Sequence, residues 1–340
     1  MKFFASAVGP LLAALTACQA PPVTITDLQD PAPGNFGTAR DVNDDGVIVG
    51  DLAGQAVEFG DAQSFERLPL PPGFVSCIPV GISNDGLIVG DCFQPRTDSV
   101  AQQPFIWDAT RAIRPIDGLG VGNIVSSMSP NGMIVGYSGK PGTGSVQPWA
   151  YDLHTDTLTE LPTPPNSDTL PLDINDAGEA VGSASVSGSG TWAVLWSGSP
   201  PTVTRLASPD CNGEARAINN HGLIVGAIWG PATNRPVQWS SSTALPVGLP
   251  RVPVPTGGGP FQVEVRDVND EGVIVAQSRY LSGDSGADRG TLWTANLTAV
   301  DLGIGLPRAI NSSGLVVGSR NARPVKIEWR VSSEATAEQL

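Results

Sequence analysis

A single motif recurs seven times along the 340-residue chain: an apolar residue, Asn or Ser, two variable residues, Gly, and then a short apolar run. The instances are Val42-Asn43-Asp44-Asp45-Gly46, Ile82-Ser83-Asn84-Asp85-Gly86, Met128-Ser129-Pro130-Asn131-Gly132, Ile174-Asn175-Asp176-Ala177-Gly178, Ile218-Asn219-Asn220-His221-Gly222, Val268-Asn269-Asp270-Glu271-Gly272 and Ile310-Asn311-Ser312-Ser313-Gly314. Successive motif glycines are 40, 46, 46, 44, 50 and 42 residues apart, the period of a propeller blade. Asn and Ser open a type I turn because their side chains bond the backbone just ahead, and Gly takes the position where the chain turns left-handed. Each motif therefore predicts a hairpin. The flanks, such as Gly46-Val47-Ile48-Val49-Gly50 and Gly314-Leu315-Val316-Val317-Gly318, are β-branched and bounded by glycine, as buried strands are.

A third element follows each hairpin and closes on an aromatic residue: Phe59, Trp107, Tyr151, Trp196, Trp239, Trp293 and Trp329. A fourth, alternating segment comes next, for example Phe65-Glu66-Arg67-Leu68 or Val203-Thr204-Arg205-Leu206. The last unit lacks one, while Val23-Thr24-Ile25-Thr26-Asp27-Leu28 has the pattern of a fourth strand without a unit of its own. The expected fold is all-β, a seven-bladed β-propeller of four-stranded blades over residues 23–330, in which the amino-terminal strand completes the last blade. Residues 331–340 form a polar tail. Composition agrees: only 15% of residues are charged, Gly and Pro together number 71, and long solvated helices have no material to form from. A net charge of −14 argues against nucleic acid as a partner.

Residues 1–17 have the anatomy of a secretory leader: Lys2, a 13-residue apolar stretch from Phe3 to Leu15, then small residues. Leu15-Thr16-Ala17-Cys18 resembles the lipobox of bacterial lipoproteins. That resemblance implies lipidation of Cys18, cleavage before it, and residues 18–22 as a lipidated linker, with stable anchoring by more than one acyl chain. Gln19 in place of Asp then favours the outer membrane of a Gram-negative host. The repeats themselves resemble the HAF-type extracellular repeats, with their apolar-Asn-x-x-Gly-x-Val-Val-Gly core and Trp-containing strand. This implies an extracytoplasmic propeller of the cell envelope and no particular activity.

Chemistry-bearing residues are sparse. Asp41, Asn43 and Asp45 match the opening of a calcium loop and resemble the repeats of calcium-binding FG-GAP propellers. However, Leu52 stands where an EF-hand places its bidentate Glu, and Val fills the FG-GAP ligand position in all seven units. His154 and His221 are the only histidines and fall in turns, away from any triad. No cofactor motif is present. Cys77 and Cys92 lie symmetrically about the second hairpin turn and are expected to form a cross-strand disulfide, leaving Cys211 as the odd thiol. The long connections (residues 29–38, 91–103, 137–147, 227–235, 250–264 and 277–289) gather on one face, where Arg96, Trp229, Arg235, Tyr280 and Arg289 are candidate contacts. The function expected is a monomeric, lipid-anchored module that binds an envelope protein or glycan. The alternatives are a hydrolase or lyase with an acidic pair at the central channel, or a calcium-binding propeller.

Overall fold

Each motif folds as a turn closed twice. In the computed structural model the amide of Gly46 donates to the carbonyl of Asn43 (3.0 Å), and the amide of Val47 donates to the Asn43 side-chain oxygen (2.9 Å). The seven motif glycines have φ between 75° and 83°, a region closed to most side chains. The structure describes residues 23–28, 36–60, 64–95, 102–140, 142, 144–208, 212–230, 233–250, 261–280, 288–303 and 305–329.

Those residues form seven antiparallel sheets of four strands each, a seven-bladed β-propeller without helices. Six sheets are continuous in sequence. The seventh takes its outer strand, Val23–Asp27, from the amino terminus, paired with Arg323–Trp329 so that Val23 faces Trp329 and Asp27 faces Val325. The residue after this strand shows that it is a true fourth strand. Leu28 is buried and its amide donates to Pro324 O. Leu68, Ile116, Leu161, Leu206, Leu249 and Leu302 do the same to Ala56, Pro104, Pro148, Ala193, Pro236 and Gly290 in their own blades.

Every inner strand carries a β-bulge three residues before the motif Asn or Ser, and that of blade three has a second irregularity between Val121 and Ile124. A bulge adds an unpaired residue, bends the strand and increases its twist. Here it also presses the inner strand onto the one after it. A Cβ on Gly182 would lie 2.0 Å from Leu170 O, and the other closing glycines are similarly crowded, which is why most blades use Gly there. Blade six uses Ala276, buried and paired with Val265. The apolar residues of neighbouring blades pack into seven clusters between the sheets. Indole nitrogens pin adjacent blades: Trp107 to Pro69 O, Trp196 to Pro162 O, Trp239 to Ala207 O and Trp293 to Pro250 O.

Cys77 and Cys92 are register partners and form a disulfide. The symmetry argument from the turn reaches this pair because two irregularities cancel. Ile82 faces Ile88, so the connection contains five residues, and the bulge at Val80 shifts the register back by one. The segment 227–235, expected as a long loop, is mostly strand, since the second and third strands of blade five run Ile224–Gly230 and Thr233–Trp239, and strands Met133–Gly139 and Val146–Asp152 of blade three take up both ends of the expected loop 137–147.

Candidate functional site

The inner strands surround a central channel, with a cavity of about 480 Å3 running from the hairpin turns inward. Three positions of the repeat contribute to its lining, one of them from all seven blades.

The motif Asn is the first. Besides shaping its own turn, it donates its side-chain amide to the main-chain carbonyl of the next blade's motif residue: Asn43 to Ser83, Asn175 to Asn219, Asn219 to Asn269, Asn269 to Asn311, and Asn311 to Asn43 across the closure. The variable residue beside it adds an outer rim, in which the Asn84 and Asp44 side chains bond each other, Asn220 bridges Asp176 and Asp270, and the Ser312 amide donates to Asp44.

Two residues before the motif Asn or Ser stand Asp41, Gly81, Ser127, Asp173, Ala217, Asp267 and Ala309. The three aspartates are clamps. Asp41 accepts the amides of Val42 and, across the interface, Ile82; Asp267 does so from Val268 and Ile310. Asp173 accepts from Ile218 and from the Ser127 hydroxyl, so it touches blades five and three. Asp91, on the second strand of blade two, faces the Val125 amide of blade three. Removal from bulk water pushes Asp41, Asp91 and Asp173 up to about 7 and Asp267 to about 6, against the opposing pull of the amide donors.

Three residues before the motif Asn or Ser are the bulged residues: Arg40, Val80, Ser126, Leu172, Arg216, Arg266 and Arg308, all of which line the cavity. A bulged residue has no cross-strand partner, so its side chain is aimed at the axis. Blades five, six, seven and one, consecutive around the ring, each contribute an arginine. Arg40 pairs with Asp51, Arg216 with Glu214, and Arg266 with Glu264 and Gln277. Arg308 has no hydrogen-bond or ion-pair partner among the described residues, and Arg266 Nε is buried without one. Partial burial and the charges of neighbouring arginines lower the pKa of both Arg266 and Arg308. At the bulged positions the opposite wall is neutral, with Val80, Ser126 and Leu172, and Ile124, Leu170 and the Tyr137 ring lie beside them.

The residues singled out in sequence are dispersed. Arg289 lies in the third strand of blade six and is held by Asp301 (2.6 Å). Trp229 is half-buried in a strand opposite Asn212, Arg235 is an exposed strand residue of the same blade, and Tyr280 ends a strand opposite Phe261. Arg96, Cys18 and Cys211 lie outside the described residues. Of the calcium candidates, Asp41 and Asn43 are occupied by amide donors and Asp45 is exposed on the turn. Among the described residues no group of three or more His, Cys, Asp or Glu is placed to hold a metal. His154 and His221 are exposed turn residues. The arginine arc was missed by sequence reasoning, although its signal was present at a fixed offset from the motif.

No family model matches the chain, and no curated protein sequence matches it either. Similarity is found among solved structures. The virginiamycin B lyase of Staphylococcus aureus, in a catalytically inactive form with quinupristin, is 12% identical with a TM-score of 0.55, covering 90% of this chain and 99% of that one. The oligogalacturonate lyase of Vibrio parahaemolyticus is 10% identical with a TM-score of 0.56, covering 91% and 94%. The β-propeller domain of the trilobed protease of Pyrococcus furiosus, which has an open velcro topology, is 10% identical with a TM-score of 0.53, covering 87% and 97%. At these identities the likeness is one of fold, and this chain differs from the last in closing its ring with the amino-terminal strand.

Proposed function

We propose that the protein is a lipid-anchored, extracytoplasmic propeller of the cell envelope that works by binding a ligand, with the central channel as its principal site. The observation that carries the binding reading is the division of labour in the channel. Its carboxylates Asp41, Asp173 and Asp267 serve as acceptors for main-chain amides of the next blade, while Arg308 stands exposed in the channel without a partner among the described residues. An acid pair for hydrolysis or elimination needs one carboxyl free to meet substrate, whereas Asp41, Asp173 and Asp267 are each committed to two or more donors. Two structural neighbours are lyases, which keeps elimination as the competing reading, but their names transfer no residue to this chain.

The address rests on Cys18 and on the resemblance of the repeats to the HAF type; the boundaries are 1–17 for the leader, 18–22 for the linker, 23–330 for the propeller and 331–340 for the tail. Expressed with its leader in a Gram-negative host, the chain is expected in the detergent phase of a membrane extract, with an acylated amino-terminal peptide beginning at Cys18. Cys18→Ser should move it to the aqueous phase. An unlipidated mature chain that begins at another residue would overturn the assignment.

A further inference from the structure

Four arginines on consecutive blades converge on the channel, in a chain of net charge −14. Asp51, Glu214 and Glu264 pair with three of the four guanidiniums, and Arg308 has no hydrogen-bond or ion-pair partner among the described residues; the aspartates that also line the cavity, Asp41, Asp44, Asp173, Asp267 and Asp270, are engaged by amide donors. A guanidinium donor that meets no protein acceptor is open to a ligand oxygen, and a hydrogen bond to such a charged group contributes about 1.5–3 kcal/mol. The far wall asks for something different. Val80, Ile124, Leu170 and Leu172 are each partly open to the channel and present methyl groups, with no charged side chain on that wall at the bulge ring. The cavity volume of about 480 Å3 suits a small molecule.

We propose that the channel binds a small amphiphilic anion, with its carboxylate, sulfate or phosphate group held by Arg308 and Arg266 and its apolar body laid against Val80, Ile124, Leu170 and Leu172. This deepens the binding reading by naming a ligand class. It does not depend on the lipid anchor, because the test uses the full chain carrying Cys18→Ser. The guanidinium fork matches the oxygens of such a head group, and the two-sided wall discriminates against ions that lack an apolar body.

The probe is octanoate, titrated calorimetrically, with inorganic phosphate and octylamine as the head-group and charge controls. The expected result is saturable octanoate binding, phosphate weaker by tenfold or more, and no saturable octylamine binding. Arg308→Met should weaken octanoate about tenfold or more, the equivalent of one charge-assisted hydrogen bond. Because it removes a like-charge neighbour it should leave the fold intact, as near-ultraviolet circular dichroism will report. Leu170→Ser is the second variant, expected to weaken octanoate while leaving phosphate unchanged. The proposal is overturned if octanoate produces no saturable heat, if folded Arg308→Met binds it with unchanged affinity, if phosphate binds as tightly as octanoate, or if octylamine binds equally well.

Discussion

Replacing Asn311 with Ser tests whether the motif Asn holds blades together or merely shapes its turn. Asn311 makes three side-chain bonds: its oxygen accepts the Leu315 amide (2.9 Å) and the Ser313 hydroxyl (2.8 Å), and its amide donates to Asn43 O (2.8 Å) across the ring closure. Blades two and three show what Ser does at this position. Ser83 and Ser129 still accept the amide four residues on, from Leu87 and Met133, but have no donor that reaches the next blade. Asn311→Ser thus removes the bond between blades and keeps the turn. Asn43 O retains the Gly46 amide, so no carbonyl is orphaned and the cost is that of one ordinary hydrogen bond, about 1 kcal/mol. Asn311→Ala also strands the part-buried Leu315 amide and should cost about 2–4 kcal/mol. The interior equivalent Asn219→Ser, which loses the bond to Asn269 O, should cost the same as Asn311→Ser, because the contact is identical wherever the chain ends fall. Urea unfolding of all three variants, read as midpoint shifts at constant slope, measures these differences. The reasoning fails if both serine variants match the parent within about 0.3 kcal/mol while the alanine variant is destabilised, for then only the turn bond matters.

Two further predictions rest on neighbouring positions. Asp41, Asp91, Asp173 and Asp267 have folded pKa values raised to about 6 or 7, so between pH 4 and 7 the folded protein holds protons that the unfolded chain has released; stability should fall as pH rises through that window and level off above it. Each group contributes up to about 1.4 kcal/mol per pH unit, the lowered carboxyls such as Asp44 and Asp152 titrate below the window, and a melting temperature flat or rising from pH 5 to 7.5 would refute the account. Gly182→Ala puts a methyl against Leu170 O and should cost about 1–3 kcal/mol by urea titration, whereas Ala276→Gly, in the blade already adjusted to a methyl, should change stability by less than about 1 kcal/mol.

Architecture was legible in the sequence because it is written in local chemistry repeated seven times. Turn residues at fixed spacing, a terminal aromatic and an orphan strand at Val23–Asp27 each report a backbone constraint that acts within one blade, and the fold follows from counting them. The channel was not legible from the same pattern. The Asn side chain that closes its own turn looks conformational in sequence, and its second role appears only when the next blade is brought beside it, 40 to 50 residues away, or 268 for Asn311. Asp41 stood out in sequence as the opening of a calcium loop; what it shares with Asp173 and Asp267 is instead a clamp on the following blade. The arginines sat at a constant offset, but alternation along a regular strand says nothing about a bulge that turns one extra residue toward the axis.

The three ring positions differ in how far folding constrains them, and that difference gives the arginines their weight. The motif residue is tied to its turn and to the neighbouring blade, so it is Asn or Ser throughout. The position two before it is small or an amide-capping Asp, because it faces the next inner strand at close range; a Cβ on Gly81 would already meet Met128. The bulged position pairs with nothing, and Val80, Ser126 and Leu172 show that neutral side chains satisfy the fold there. Four guanidiniums in a row at such a position repel one another: the pKa of Arg308 is lowered first by removal from bulk water and then by the charges of Arg266, Arg40 and Arg216. Stability alone would replace at least Arg308 with another Val or Ser. A group that the fold does not require, set where it destabilises and left exposed to the channel while its three neighbouring arginines are ion-paired, is accounted for by what enters the channel, and that makes Arg308 the residue whose removal should cost binding without costing the fold.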